Sequence, residues 1–155
     1  MGHSSPVNTL LLNSEEAELY SGLRGGMIVL WDIYNQKVKI NLKGHSTQIT
    51  SMTIYRNKNS ECVLASGSAD GKGKLYRNGK LLYEGDFVDN KLQGKGKEFD
   101  EEGKLLYSGE FQNNAYNGFG SRFLVRPYEG YWSNNRPDRL KQGFYLIGKG
   151  LKLVS

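Results

Sequence analysis

Tyr83-Glu84-Gly85-Asp86-Phe87, Tyr107-Ser108-Gly109-Glu110-Phe111 and Tyr128-Glu129-Gly130-Tyr131-Trp132 are three copies of one pattern. Their leading tyrosines lie 24 and then 21 residues apart, a period typical of stacked repeats. In an extended strand, residues i, i+2 and i+4 share a face, so each copy sets aromatic, glycine, aromatic on one side. The glycine leaves a gap on that face, where a neighbouring copy's ring is expected to lie. Glu84, Asp86 and Glu110 then point to the other side, toward water. A single hairpin cannot bury its own face, so the copies need one another.

Each copy turns at a polar cluster and returns with paired glycines. Asp89-Asn90-Lys91 precedes Gly94-Lys95-Gly96 and Phe99; Asn113-Asn114 precedes Gly118-Phe119-Gly120 and Phe123. Asn and Asp tolerate turn geometry and glycine supplies positive φ, so these are β-hairpins. The stretch resembles the MORN repeat, roughly Tyr-Glu-Gly-x-(Trp/Phe)-x-Asn-Gly-x-x-x-Gly-x-Gly. Two copies match well. The third departs: Trp132-Ser133-Asn134-Asn135-Arg136 runs into Pro137-Asp138 without the paired glycines. It is either a degenerate last repeat or the start of a cap.

The 155 residues suffice for one ordinary domain or two very small ones. Twenty glycines, ten tyrosines and few long apolar runs favour many short strands over helices. No window holds eighteen consecutive apolar residues, so no membrane-spanning helix is expected. Met1-Gly2-His3-Ser4-Ser5-Pro6 lacks the basic and apolar regions of a secretory signal, and Pro6 stands where myristoylation needs Ser or Thr. Cys62 is the lone cysteine, set among Val63, Leu64 and Ala65, and reads as a buried structural thiol. It excludes an intrachain disulfide and fits a reducing compartment.

Net charge is +5, unevenly spread. Residues 1–71 hold six Lys/Arg and six Asp/Glu; residues 72–155 hold fifteen and ten, so the whole excess lies in the second half. Lys72, Lys74, Lys91, Lys95 and Lys97 are the candidate contacts for an anionic partner: lipid headgroups or acidic protein tails. Against this stands a plainer reading, a solvated surface, because bases alternate with acids and form no run of four.

Residues 7–67 carry a second repeat. Gly2-His3 and Gly44-His45 lie 42 residues apart. Each is followed by an apolar strand, Val7 to Leu12 and Ile49 to Tyr55, and then by a strand ending at Ser21-Gly22 or Ser66-Gly67. The first copy continues through Met27-Ile28-Val29-Leu30-Trp31-Asp32 to Lys37–Leu42. Gly-His, Ser-Gly and Trp-Asp at this period resemble a WD40 propeller blade. The phrasing from Gly2 to Asp70 is similar to the propeller of katanin's non-catalytic, microtubule-targeting subunit, which implies a microtubule connection. Blades of this family often contain a hydrogen-bonded set of His, Ser/Thr, Asp and Trp. The second copy offers His45, Ser66 and Asp70, with Tyr76 at the Trp position. The first offers His3, Ser21 and Trp31, with Gly25 where Asp would stand. The resemblance makes both histidines structural.

A propeller typically closes with four to eight blades. This chain holds about one and a half to two, residues 1–77, running directly into MORN repeats over 74–138 and a C-terminal capping hairpin over 139–155. Lys74-Leu75-Tyr76 falls where the second blade's third strand belongs. Asn78-Gly79 is a strong hairpin signal, and Leu81-Leu82-Tyr83 serves as last blade strand and first MORN strand at once. No flexible linker is expected there. An incomplete propeller leaves apolar surface among Leu10, Leu11, Leu12, Trp31 and Ile54 bare. At about 25 cal/mol per Å², a few hundred Å² left wet forfeits several kcal/mol, a large part of a small domain's stability. The Trp31-bearing sheet is therefore expected to pack on the MORN sheet or on another molecule.

No catalytic, cofactor or metal constellation is present. Gly67-Ser68-Ala69-Asp70-Gly71-Lys72 has one residue too few for a phosphate loop, and Gly73 follows where Ser or Thr is needed. Zinc spacing and a nucleophile elbow are absent. The sequence thus reads as an all-β, non-enzymatic scaffold of the cytoplasm, cytoskeleton or cilium. Its partner would be tubulin, an axonemal assembly or another copy; nucleic acid is not expected. Two alternatives are a peripheral phospholipid-binding module and a fusion of two repeat fragments without a joint function.

Overall fold

The computed structural model describes residues 3–42, 44–123 and 127–138 in full, and 143–147 and 150–154 as backbone. Every element is a strand. Two units divide the chain, residues 1–82 and 83–155.

In the first unit, β1 (Val7–Asn13), β2 (Glu18–Leu23), β3 (Ile28–Asp32) and β4 (Lys37–Leu42) form an antiparallel meander, one complete blade. A second meander follows: β5 (Ile49–Arg56), β6 (Cys62–Ser68), β7 (Gly73–Arg77) and the start of β8 (Lys80–Val88). The β7–β8 turn is Asn78-Gly79, with φ of 50° and 77°. Two successive positive φ values define the hairpin turn that matches strand twist. β8 itself contains the boundary between the two units, at Leu82 and Tyr83.

Cross-strand register sorts each blade's side chains. Leu11, Tyr20, Leu30 and Ile40 oppose one another across β1–β4 and make one row. Ile54, Leu64 and Tyr76 do the same across β5–β7. The two rows pack together, with Ile28, Leu42 and Ile49 completing the core. The first blade therefore buries the face opposite Trp31. Leu10 and Leu12, among the apolar residues an incomplete propeller leaves bare, are 61% and 59% exposed on the Trp31 side.

The second unit continues with β9 (Lys91–Phe99), β10 (Leu105–Gln112), β11 (Ala115–Arg122), β12 (Tyr128–Ser133), β13 (Arg136–Pro137), β14 (Gly143–Ile147) and β15 (Gly150–Val154). Each strand pairs antiparallel with the next, except that β12 is flanked by both the short β13 and β14. β14 and β15 form the final hairpin by backbone register; residues 139–142 of the expected cap lie outside the described residues. Three turns repeat one geometry, Asp89-Asn90, Asn113-Asn114 and Asn134-Asn135, each with both φ values positive. Small polar side chains that bond locally make that conformation tolerable without glycine.

The paired glycines have two different jobs. Gly94 and Gly118 adopt φ of +71° and +75° at a bulge, where three residues of the return strand oppose the single Asp86 or Glu110. Gly96 and Gly120 are bare because the tyrosine of their own repeat lies against them. A Cβ at Gly120 would clash with the Tyr107 hydroxyl and, at 2.5 Å, with its ring, and one at Gly96 with the Tyr83 hydroxyl and, at 2.6 Å, with its ring. Gly85 and Gly109 face the same hydroxyls. The gap beside each glycine is thus filled from within its repeat, not by a neighbour's ring. Tyr83, Tyr107 and Tyr128 donate their hydroxyls to the carbonyls of Asp86 (3.2 Å), Glu110 (3.0 Å) and Tyr131 (3.3 Å).

Neighbouring repeats meet edge to face. Tyr83 contacts Phe111 at 5.1 Å and Tyr107 contacts Trp132 at 5.6 Å, both near perpendicular. Tyr116 stacks on Tyr107 at 3.8 Å and donates to Glu98; burial first, and then this hydrogen bond, raises its pKa. The turns are also stitched: Asn114 Oδ1 accepts from Leu92 N at 2.7 Å, and Asn135 Oδ1 from Tyr116 N at 2.6 Å.

Three substitutions test this architecture. Gly120→Ala should displace the Tyr107 ring and cost about as much as Tyr107→Ala, roughly 3–5 kcal/mol. Gly103→Ala, where a Cβ meets open space at φ +82°, should cost only about 1–2 kcal/mol. Urea unfolding of the three variants reads the difference, and equal losses at Gly103 and Gly120 would reject the ring-over-glycine account.

Candidate interaction surfaces

The histidines sit in braces between strands. In the second blade His45 Nε2 lies 2.9 Å from Ser66 Oγ, and its Nδ1 lies 3.1 Å from Asp70 Oδ2. A proton on Nδ1 suits the carboxylate and leaves Nε2 to accept from Ser66. The order Ser, His, Asp matches a hydrolase triad. Ser66 is only 5% exposed, however, and the His45 side chain is fully buried. The arrangement ties β6, the chain before β5 and the β6–β7 turn together. Burial pushes the Asp70 carboxyl up, but hydrogen bonds from Ser46 N, Lys72 N and His45 outweigh it and leave its pKa lowered. In the first blade His3 Nε2 lies 2.8 Å from Ser21 Oγ, which accepts from Trp31 Nε1 at 2.9 Å. Gly25 supplies no carboxylate, and the His3 ring packs on the Trp31 edge at 5.0 Å.

Between the blades lies a crevice of about 260 Å³ lined by Glu18, Tyr20, Lys39, Ile40, Cys62 and Tyr76 among others. Glu18, 3% exposed, accepts from Tyr20 Oη at 3.0 Å and from Lys39 Nζ at 2.5 Å. The hydrogen bond to Glu18 raises the Lys39 pKa, and burial together with Glu18 raises that of Tyr20. Sequence reasoning overlooked this set. Its signal was Glu18 and Tyr20, two apart on a strand and hence on one face. Cys62 is half-buried at the edge of the crevice, not fully enclosed as expected, and desolvation raises its thiol pKa. Among the described residues no group of three or more His, Cys, Asp or Glu is placed to hold a metal ion.

The repeat residues Tyr83, Gly85, Tyr107, Phe111, Tyr128, Gly130 and Trp132 are buried on one face of the second unit, with Phe87 and Gly109 half-buried beside them. The other face is mixed in charge. Lys97 lies 3.5 Å from Glu84, and Lys95 is the register partner of Glu110. Asp86, expected to point into water, accepts the backbone N–H of Lys95 at 3.0 Å and so fastens the bulge. At the β11–β12 end of that face Phe119 and Tyr131, 44% and 38% exposed, meet at 5.5 Å. Lys91 stands at a turn with Asn113 Oδ1 3.5 Å away. Lys72 is exposed near the Asp70 brace. Lys74 is different: at 5% exposure it belongs to the blade interior and leaves the set of partner contacts. Its strand position opposite Ser66 turns it inward.

A family profile described as "WD domain, G-beta repeat" matches residues 36–77, and the MORN repeat profile matches 83–103, 107–123 and 128–139. The chain carries a WD40 repeat and three MORN repeats. The third MORN match covers Tyr128–Trp132 and the Asn134-Asn135 turn, so the degenerate copy counts as a repeat. Autophagy-related protein 16 of Arabidopsis thaliana is 34% identical over 64 residues, 41% of this chain and 12% of that protein. Protein NEDD1 of Homo sapiens is 35% identical over 65 residues, 42% of this chain and 9% of that protein. The match thus spans about a tenth of either relative's length. Among solved structures, the Cps50 (Swd1) β-propeller domain of Myceliophteria thermophila aligns with TM-score 0.48 and 18% identity, over 94% of this chain and 39% of that one. The computationally designed Ika4 protein aligns with TM-score 0.47 and 19% identity, over 98% and 92%. The finer likeness to katanin's subunit is not shown by these matches.

The WD40 brace makes a pH prediction. A carboxyl with a lowered folded pKa contributes stability that is present above its unfolded value, near 3.9, and lost as pH falls through the folded one. Asp70→Asn should therefore be less stable than the parent at pH 7, with the gap narrowing below about pH 4. Thermal melts across pH 2.5–8 (a range set by carboxylate titration, roughly) would show it, and a gap independent of pH would contradict the lowered carboxyl.

Proposed function

We propose that the chain is a non-enzymatic scaffold that joins partners through its WD40 and MORN faces within a microtubule-based structure such as a cilium. WD40 repeats generally mediate protein–protein interaction, and both repeat families are generally non-catalytic. The observation that carries the reading is the outward MORN face: the exposed Phe119–Tyr131 pair beside Glu110 and Lys95, aromatic area flanked by charges of both signs. Aromatic anchors with a mixed polar rim suit a folded protein partner. The five-charge excess of residues 72–155 adds attraction to acidic surfaces, which supports a partner such as tubulin.

A second reading rests on the exposed lysines Lys72, Lys91, Lys95 and Lys97. MORN repeats can bind membrane lipids, and these side chains would meet anionic headgroups. The alternating acids Glu84, Glu110 and Glu129 on the same face weaken that attraction, so the protein partner is preferred.

Paired sedimentation separates the two. The 155-residue chain is spun with microtubules, and separately with phosphatidylserine vesicles, at about 0.05 and 0.2 M salt, bracketing a Debye length of about 10 Å. Pelleting with microtubules that persists at the higher salt and is lost in Phe119→Ala/Tyr131→Ala is the expected result. Pelleting with vesicles alone, fading with salt, would establish the lipid reading instead; no pelleting with either removes both.

A further inference from the structure

The crevice between the two WD40 blades grades from an apolar floor to a charged rim. Leu30, Leu42, Leu64 and Tyr76 are buried along it, while Glu16, Lys39 and Asn78 on its lining are exposed. One charge lies deep. Glu18 is 3% exposed, and its two oxygens are used differently. Oε2 accepts from Tyr20 Oη at 3.0 Å and from Asn13 Nδ2 at 3.5 Å. Oε1 accepts from Lys39 Nζ at 2.5 Å and from no other described residue. Tyr20 and Asn13 are buried, whereas 49% of the Lys39 side chain is exposed. The chain thus shows what Oε1 accepts, an ammonium, held there by a side chain with room to withdraw into water.

Size and charge narrow the occupant. The crevice volume of about 260 Å³ exceeds the roughly 150 Å³ that houses a benzene and falls short of the roughly 300 Å³ where drug-sized pockets begin. It has room for one long side chain. The charges acting on the crevice residue Cys62 are those of Glu15, Glu16, Glu18 and Arg56. With Lys39 on Glu18, three carboxylates stand against two cations, which favours a monocation.

We propose that this crevice seats one lysine side chain from an extended segment of a partner protein, whose ammonium takes Glu18 Oε1 from Lys39. The methylene stem would lie on the apolar floor with the head on the carboxylate, each half of the side chain in the surroundings it prefers. Arginine fits less well. Tyr20 and Asn13 occupy Oε2 and close the two-oxygen contact on which a guanidinium fork depends. The partner rests on the scaffold reading; the seat itself lies wholly in the first unit and is tested without a partner.

The lone cysteine reports occupancy. Cys62 lines the crevice, and Asn13 Nδ2, which donates to Glu18, lies 3.9 Å from its Sγ. Its alkylation in the 155-residue chain is followed at about pH 7.5, where carboxylates and alkylamines are both charged. The probe n-butylammonium, the stem and head of a lysine, should slow labelling; n-butanol, of the same length without the charge, should not. Lys39→Met keeps the stem and removes the competing head, so half-protection should come at about tenfold lower probe concentration. Glu18→Gln should abolish protection; where that variant fails to fold, n-butanol and Lys39→Met carry the test. The peptide acetyl-alanyl-lysyl-alanine amide should protect as n-butylammonium does.

Equal protection by n-butanol would make the crevice an apolar cavity only. Unchanged probe affinity in Lys39→Met would place the probe elsewhere, and tighter binding of n-butylguanidinium would give the seat to arginine. Protection by n-butylammonium without protection by the peptide would make it a site for small amines. Each of these results overturns the proposal, as does labelling that no probe slows. None involves microtubules or vesicles, so the seat can fail while the scaffold reading stands, and the reverse holds.

Discussion

A β-sheet with one apolar face persists in water only if that face is covered, and the two halves of this chain meet the requirement in different ways. The WD40 blades cover each other, row against row, with Tyr20 and Leu30 seated on Leu64 and Tyr76. The MORN repeats cover their face with their own side chains. Tyr83 and Tyr107 each lie across two glycines of their own hairpin, and all three repeat tyrosines anchor the hydroxyl on the carbonyl three residues on. The rings of successive repeats then close edge to face. The first solution needs a second sheet at every step; the second needs only the next hairpin.

That difference shapes what is left for partners. A blade has two faces with the same appetite, so a short series leaves one of them at its end, here the side carrying Leu10, Leu12 and Val38. The MORN face opposite the tyrosines is built for water, with Lys97 against Glu84 and Asp86 bound to the bulge, and it exposes the Phe119–Tyr131 pair. The buried histidine brace does not add to this surface. His45, Ser66 and Asp70 satisfy one another inside the second blade, where an unpaired polar atom would be costly. An aligned serine, histidine and aspartate here serve as a clamp because the serine is enclosed, which shows that order along a hydrogen-bond chain does not by itself make a nucleophile.

Strand positions, turns and both repeat types were legible in the linear chain, since each depends on neighbours in sequence. Alternation at Tyr83–Phe87 placed the tyrosine side of each hairpin, Asn78-Gly79 announced a hairpin turn, and the Gly-x-Gly pairs marked the return strands. The role of each glycine was not legible. Spacing could not tell that Gly94 and Gly118 bend a bulge while Gly96 and Gly120 admit a ring, because both jobs ask for the same missing Cβ. Lys74 was misplaced for a similar reason: a lysine in a basic segment reads as surface until the register sets it opposite Ser66.

By itself, then, the amino-acid sequence determined that the chain is all-β and that two repeat families meet near Tyr83. These follow from periodicity and turn chemistry, which act over a few residues. Which face of a blade is covered was decided only by tertiary structure. Period-two alternation gives both faces of β1 a leucine, at Leu11 and at Leu10 and Leu12, and local physics treats them alike. Only the arrival of the second blade on the Leu11 side, bringing Leu64 and Tyr76 from more than fifty residues away, buries one and leaves the other in water.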